Sequence, residues 1–594
     1  MEPPPYDVVE EGGPELEVVF SSLFTGADSK HPGLVHSDQV LGHLKLLECL
    51  YRLREAIMAR DGLFGIYNEA IVREPGASYS VDAGQQRWAV YVQRAVDRFE
   101  SWWIGICRKN NPLSPSVESL DMHSERQLHK WGLEQRPLTM LISDLPPIDV
   151  LMVWHAYMLS PRTYLEDCLR TGTGFMWATP MPWKLINEVI DPYSYLYEPP
   201  DVSQRKFENL TGLNWAIEMD SCIKKLICPF CQTENDIPWF KVGPRGIIDQ
   251  QSYAYKNMKA ECRQCSFVMD HSKLCAVKFA TDLLAIQTKR VPLPGMLLDL
   301  ITNLPTAPSR FNIYELLDDR QLYKSAIKFV TLPEVECPLQ AIKDLVESKV
   351  EQYMPWIRET DSRAQLMEWY SAVFRRIFSS YWGNHSLFSR NLVPAVFQQA
   401  TFIDQMHSLG WLFSPTVRNT ATRAIGYYYR FLYLAASNRS CTSCVPTAEV
   451  DLVWHTHMLS PQSYYQHMLR DMGFFLNHDD SLSDRVLDRG LQFTADLFQN
   501  RYSTPYFDCL CWYCESSKAV TPNPKPLSYS KFKRRKTKPS PVVFFGVNRP
   551  LFTMNADYSN CIPGISATVL SPGSWGFNTG ACGRGRVPFH CHNN

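Results

Sequence analysis

A run of apolar and aromatic residues, Ile148 to Tyr164 (IDVLMVWHAYMLSPRTY), returns at a constant offset as Ala448 to Tyr464 (AEVDLVWHTHMLSPQSY). Trp154 matches Trp454, His155 matches His455, and Ser160-Pro161 matches Ser460-Pro461. This reads as an internal duplication, so whatever one copy packs against, the other is expected to need as well. In each copy the apolar run propagates a buried helix, and Leu-Ser-Pro stops it because the residue before proline is steered out of the α region. A second helix restarts at once, with serine as cap and proline at its first position, and Gly172 or Gly473 ends it.

Upstream of the first copy, Val40, Leu44, Leu47 and Tyr51 recur at helical spacing, and Trp88, Val92, Ala95, Phe99 and Trp102 fall on one helix face. Val393–Met406 and Thr422–Leu434 echo these two helices ahead of the second copy. The expected fold is mainly α: two related helical domains, residues 36–215 and 330–516, with a small β zinc-ribbon-like segment, 216–285, inserted between them. A linker is expected at 286–329, and disordered ends at 1–35 and 517–594, where Pro, Ser, Thr and charge replace periodicity. At 594 residues and 45% hydrophobic, the chain can fill several cores.

Sixty basic against sixty-one acidic residues leave a net charge of −1, which excludes a global pull toward nucleic acid or anionic lipid. The leader, Met1 to Glu17, is proline-rich and acidic, the reverse of a secretory signal. No stretch reaches the roughly 18 uncharged apolar residues of a membrane helix; the most aromatic, Gly426 to Ala436, is broken by Arg430. A cytoplasmic protein is expected, and the basic run Lys531 to Lys538 (KFKRRKTK) allows a nuclear one.

The strongest chemical signal lies between the copies: Cys228-Pro-Phe-Cys231 and Cys262-Arg-Gln-Cys265. Two such pairs each close a knuckle, and four thiolates satisfy tetrahedral zinc without an open position, which makes the site structural rather than catalytic. His271 and Cys275 are spare ligands. Lysines and arginines surround this segment, but six acids between Asp220 and Asp270 nearly cancel them, so RNA contact is the minor reading and a solvated surface the major one.

The Trp-His pair invites a catalytic reading because Asp451, His455, His457, His478, Asp479 and Asp480 cluster in the second copy. Residues two apart on a helix diverge by about 200°, so His455 and His457 cannot both face one metal. Because Trp154, His155, Trp454 and His455 recur together, packing explains them better: a buried indole, and an imidazole bonded to a backbone carbonyl. Cys441 and Cys444 before the second motif, and Cys509, Cys511 and Cys514 after it, can combine with each other or with His457 and His478 into a second zinc site. His-x-Asp at His478 also supplies two ligands of a non-haem iron triad, in a surrounding pattern that is helical rather than jelly-roll. At the amino end, Pro3-Pro4-Pro5-Tyr6 fits a Pro-Pro-x-Tyr ligand for a WW domain, with Pro3, Pro4 and Tyr6 as its contacts.

With DLVWHTHMLSPQSYY the chain resembles the glycine-rich domain-containing protein family of plants and, in shorter forms, fungi. Fungal members of the family resemble the chain further in HLKLL at His43 to Leu47, the CPFC and CRQC pairs, NHDD at Asn477 to Asp480, and CLCWYCE at Cys509 to Glu515, so that the resemblance covers about 36 to 515 and is of the fungal type. The namesake glycine-rich region is missing, with only 29 glycines in the chain. The resemblance implies a developmental link and RNA contact in plant members, and brings no catalytic residues. The expected function is a zinc-stabilised, non-enzymatic interaction or scaffold protein; the alternative is a metal-dependent oxygenase or hydrolase built on the second Trp-His copy.

Overall fold

The computed structural model describes residues 34–506 apart from 70–74, 76–81, 111, 113, 117–118, 121–122, 244–245, 308–312, 333–334, 354–361, 438–443 and 479–483. The Pro3–Tyr6 motif, Cys441, Cys509, Cys511, Cys514 and the Lys531–Lys538 run lie outside the described residues. The protein is mainly helical, with small two-stranded sheets. Among the described residues no helix is long and apolar enough to cross a membrane.

The amino-terminal unit begins with α1 (Ser37–Ala59) and α2 (Ala83–Asn110), followed by the Trp-His helix α3 (Ile148–Met158) and α4 (Pro161–Thr171). Proline starts α4, and Gly172, at φ 70°, ends it, as the sequence predicts, but Ser160 occupies the N-cap without the expected side-chain cap, as does Ser460 in the second segment. The break fixes a side-chain relay. The Trp154 indole N–H donates to the Tyr164 hydroxyl at 3.4 Å, which in turn donates to the Met176 carbonyl at 3.1 Å. Every residue of α3 from Asp149 to Met158 is buried. A helix without a polar face cannot lie on a surface and must be surrounded by other elements.

Those elements come from both ends of the chain. After α5 (His271–Lys289), α6 (Arg320–Thr331), α7 (Pro338–Tyr353) and α8 (Ser362–Ser379) the chain returns as α9 (Leu392–Leu409), α10 (Val417–Ser437), α11 (Ala448–Met458) and α12 (Pro461–His467). α9 packs on α1 and α3, and α10 packs on α1 and α11. One continuous core therefore holds Trp88, Trp102, Trp154 and Trp177 together with Trp411, Tyr428, Trp454 and Tyr464. The core does not divide at the expected boundary between 36–215 and 330–516, because each Trp-His helix leans on helices of the other half.

A second core is built from α5 to α8, around Phe279, Leu322, Ile342, Phe374 and Tyr381. The expected linker, 286–329, thus carries helix, including Ile313–Leu317 and most of α6. Buried acids fasten this unit to the main core: Glu166 accepts from the backbone N–H of Gly295 and Leu297 at 2.9 and 2.8 Å, and Asp167 accepts from Ser389 N–H at 2.9 Å. Gly295 sits at φ +90°, and a Cβ there would meet the Ile377 nitrogen at 2.9 Å, so glycine is required at this docking point.

At the entry to α5, Asp270 caps the helix through the Lys273 N–H at 2.8 Å. His271 is buried, its Nε2 donating to the carbonyls of Tyr253 and Tyr255 at 3.1 and 3.2 Å, which leaves Nδ1 to accept from His385 Nε2 at 3.1 Å. Burial draws its pKa down to about 4, although the two carbonyls oppose the change, and Lys224 and Lys278 also lie near the pair.

Two measurements test this account. Trp154→Ala and Trp454→Ala each should lower unfolding stability by about 3–5 kcal/mol, the cost of deleting a buried aromatic, and because the core is shared both should broaden or shift the same transition. Independent transitions for the two variants would contradict a common core. Below pH 6.5 the unfolded chain binds a proton at His271 that the folded chain refuses until about pH 4, so stability should fall on acidification through this window, by up to about 1.4 kcal/mol per pH unit from this one group. His271→Asn should make the denaturant midpoint flatter between pH 6.5 and 4; an unaltered slope would rule the histidine out.

Candidate metal centres

Two antiparallel strand pairs frame the cysteine cluster. β1 (Ile223–Ile227) pairs with β2 (Glu234–Pro238), and β3 (Ala260–Glu261) with β4 (Val268–Met269). Each turn carries one cysteine pair and closes in the same way: Cys228 N–H donates to Thr233 O and Gln232 N–H to Cys228 O, while Cys262 N–H donates to Phe267 O and Ser266 N–H to Cys262 O, all at 2.9 Å. The residue after each second cysteine takes positive φ, Gln232 at 61° and Ser266 at 55°, turning the chain back. The knuckles face one another. Cys228 Sγ lies 3.7 Å from Cys265 Sγ and Cys231 Sγ 3.6 Å from Cys262 Sγ, with all four sulfurs within 4.8 Å. Four sulfurs about 2.3 Å from a central ion would sit about 3.8 Å apart, so the cluster has the size of a tetrahedral thiolate site.

The four thiols pull one another in opposite directions: burial first, with the Cys231 and Cys262 thiols, raises Cys228, and, against the Phe267 N–H, burial and the neighbouring thiols push Cys265 up to about 12, whereas Thr233 lowers Cys231. Burial alone would raise the Cys262 thiol, but N–H groups of Cys265 and Gln264 and the Cys231 thiol outweigh it and draw the pKa down to about 6. The spare candidates do not join. His271 is engaged with Tyr253 and Tyr255, and Cys275 sits in the second core, where burial pushes its thiol up to about 12. The segment is not a free appendage: Arg94 of α2 donates to the carbonyls of Ile217, Asp220 and Ser221 at its base, and Gln93 to that of Ala254.

The second constellation lies in the carboxy-terminal Trp-His helix, α11. Trp454 Nε1 donates to the Tyr464 hydroxyl at 3.0 Å, and that hydroxyl donates to Leu476 O at 2.8 Å. The chain is thereby led past Gly473, at φ 70°, so that His478 returns against α11. His478 Nε2 lies 3.1 Å from His455 Nε2 and 3.0 Å from Asp451 Oδ1, and His455 Nε2 lies 3.5 Å from the same oxygen. Asp451 and His455 are one helical turn apart and share a face.

His455 packs its ring against Phe402 and brings its Nε2 to His478 and Asp451. His457 points the other way, as its spacing requires, and shares a 2.9 Å hydrogen bond with the Tyr428 hydroxyl. Of the residues named for a second site, the structure brings His478 to this cluster, leaves His457 out, and packs Cys444 against the main core. Asp451, like His455, is a ligand-type residue of this cluster that the expected second site does not include. The signal was present: Asp and His four apart on one face, with leucine at the matching position 151.

The first copy handles its histidine differently. Thr456 donates its hydroxyl to Leu452 O at 2.7 Å, so Thr456 Oγ1 accepts from His43 Nδ1 at 2.9 Å, and His43 Nε2 accepts from His155 Nε2 at 3.0 Å. His155 therefore bonds an imidazole of α1 rather than a carbonyl. This proton chain is complete with both rings neutral, and burial, helped by the nearby His455, holds His155 down to about 3.

Residues 367–467 match the family described as glycine-rich domain-containing protein-like. Among curated proteins, glycine-rich domain-containing protein 1 of Arabidopsis thaliana is 42% identical over 91 residues, 14% of this chain and 11% of that protein. Glycine-rich domain-containing protein 2 of the same plant is 37% identical over 91 residues, 14% of this chain and 12% of that protein. The match thus spans only about a tenth of the length of these relatives, and no solved structure matches. The family segment contains α9 to α12, with Trp454, His455 and Asp451, and stops short of His478. Over this segment the chain is similar to the glycine-rich domain-containing protein-like family.

Proposed function

We propose that the protein is a zinc-stabilised, non-enzymatic interaction protein in which a duplicated Trp-His module forms the body and a zinc-ribbon-like segment is docked on its flank. The observation that carries this reading is the spacing of the four sulfurs, 3.6 and 3.7 Å across the knuckles, which suits zinc with no coordination position left for a substrate. Cys228, Cys231, Cys262 and Cys265 would hold the ion, and its binding energy would also be folding energy for strands too short to persist alone. The duplication is supported by the matching indole–hydroxyl–carbonyl relays of the two copies.

Partner contact is assigned to the ends of the chain, with Pro3, Pro4 and Tyr6 as a WW-domain ligand and Lys531–Lys538 as the route to the nucleus from a cytoplasmic pool. RNA contact by the ribbon stays the lesser reading, since its cations are matched by acids: Lys225 with Glu234 and Asp236, Lys241 with Asp249, Lys224 with Asp97. One observation favours the enzymatic alternative, the convergence of Asp451, His455 and His478.

Cys228→Ser and Cys262→Ser should each lower zinc content by one equivalent per chain, read by elemental analysis of purified protein, and should increase amide exchange in 223–269. Zinc content equal to that of the unaltered chain in both variants would refute the ribbon.

A further inference from the structure

The geometry points to a second, separate metal site: Asp451, His455 and His478 bind one divalent first-row transition ion through Asp451 Oδ1 and the two Nε2 atoms, leaving at least one coordination position for an exogenous ligand. Three lines of observation carry it.

The first is size. An ion about 2.0–2.2 Å from three ligand atoms, at angles between tetrahedral and octahedral, sets those atoms about 3.0–3.5 Å apart. The edges here are 3.0, 3.1 and 3.5 Å.

The second is proton accounting. In the first copy the chain from His155 Nε2 through His43 to Thr456 closes with neutral rings. In the second copy His478 Nε2 faces two partners at once, a carboxylate oxygen and another Nε2. A neutral imidazole nitrogen carries either a proton or a lone pair, so without an ion one proton is shared between both contacts, as His271 Nε2 shares its own between two carbonyls, or a ring is charged. A central cation accepts a lone pair from all three atoms with both rings neutral. The set, two imidazoles and one carboxylate, suits zinc, cobalt(II) or iron(II) rather than calcium or magnesium.

The third is the contrast between the copies. The matched relays from Tyr164 to Met176 and from Tyr464 to Leu476 keep the same offset, which sets Leu151 opposite Asp451 and Ala178 opposite His478. The first copy thus keeps the shared histidine, replaces both other ligands with apolar residues buried at 0 and 5% exposure, and holds the same fold without them. Asp451 and His478 are therefore dispensable for the helix pair, and their convergence on His455 is specific to the second copy.

The surroundings favour binding with access from one side. The ring of Phe402 lies 4.4 Å from that of His455 and the indole of Trp454 4.8 Å from that of His478, so two apolar walls limit competing water. The histidine side chains are 1 and 6% exposed, whereas that of Asp451 is 20% exposed, so the cluster opens at the carboxylate. Bound there, a dication keeps a net positive charge of one, which suits water, hydroxide or a small anion such as a carboxylate as the remaining ligand.

The test uses the full chain, stripped of metal and reloaded with cobalt(II) or zinc(II). The variant Asp451→Leu/His478→Ala reproduces the residues of the first copy, so it should fold, with unchanged circular dichroism, and bind one equivalent less than the unaltered chain. Its cobalt form should lose visible absorption of nitrogen–oxygen type and keep the thiolate charge-transfer bands of the cysteine cluster; Cys228→Ser should do the reverse, which separates this site from the ribbon. Asp451→Asn gives a second reading: cobalt(II) added to Cys228→Ser protein should raise its melting temperature, and should not do so once Asp451→Asn is added. Equal metal content and equal cobalt spectra in the unaltered chain and the double variant, or an equal thermal response with and without Asp451→Asn, would overturn the assignment.

Discussion

The fold depends on one constraint, that a helix apolar on every face must be enclosed. α3 is buried along its whole length from Asp149 to Met158, and α11 is buried from Glu449 to Met458 except at Asp451. Neither can be covered by the two helices that precede it. Each half therefore supplies cover to the other, with α1 and α9 in contact at the centre and the Val35 N–H reaching the Tyr429 hydroxyl at 3.0 Å. Within the two Trp-His segments the buried indoles of Trp154 and Trp454 each donate to a tyrosine hydroxyl, and each hydroxyl donates to a carbonyl.

Charged groups inside this core follow the same rule. Arg98 of α2 is 3% exposed yet meets Asp149 at 2.6 Å, contacts Asp220, and donates to the carbonyls of Asn214 and Trp215, so its guanidinium is fully engaged. In the carboxy-terminal half Arg423 faces Glu449 at 3.5 Å at the matching end of α11. Removing one member of the Arg98 pair would strand the other in a low-dielectric interior, where a lone charge is far more costly than the pair is stabilising. The arginine also ties the base of the cysteine segment to α2, so the helical body and that segment are held by the same residue.

The two halves differ where chemistry is concerned. In the first, leucine and alanine stand beside the shared histidine, and an imidazole from α1 completes a closed proton chain. In the second, a carboxylate and another imidazole converge on it at a point open to solvent.

Much of this was legible in the chain itself. Helical period, the Leu-Ser-Pro stop and the terminal glycines define α3, α4 and α11, since these are local steric and hydrogen-bonding effects that act within a few residues. The cysteine pairs were legible for the same reason: a Cys-x-x-Cys knuckle is a local geometry, and only the meeting of the two knuckles needed a fold. Spacing also excluded a shared ligand role for His455 and His457, and the structure turns them apart. What the sequence could not disclose was which elements share a core, because an apolar face states that it must be covered and not by whom. Nor could it select Asp451, His455 and His478 from the histidines, acids and cysteines around them. Asp451 and His455 are adjacent through helix geometry alone, but His478 reaches them only because the Tyr464 hydroxyl holds Leu476 and Gly473 turns the chain, so tertiary structure alone decided that third ligand.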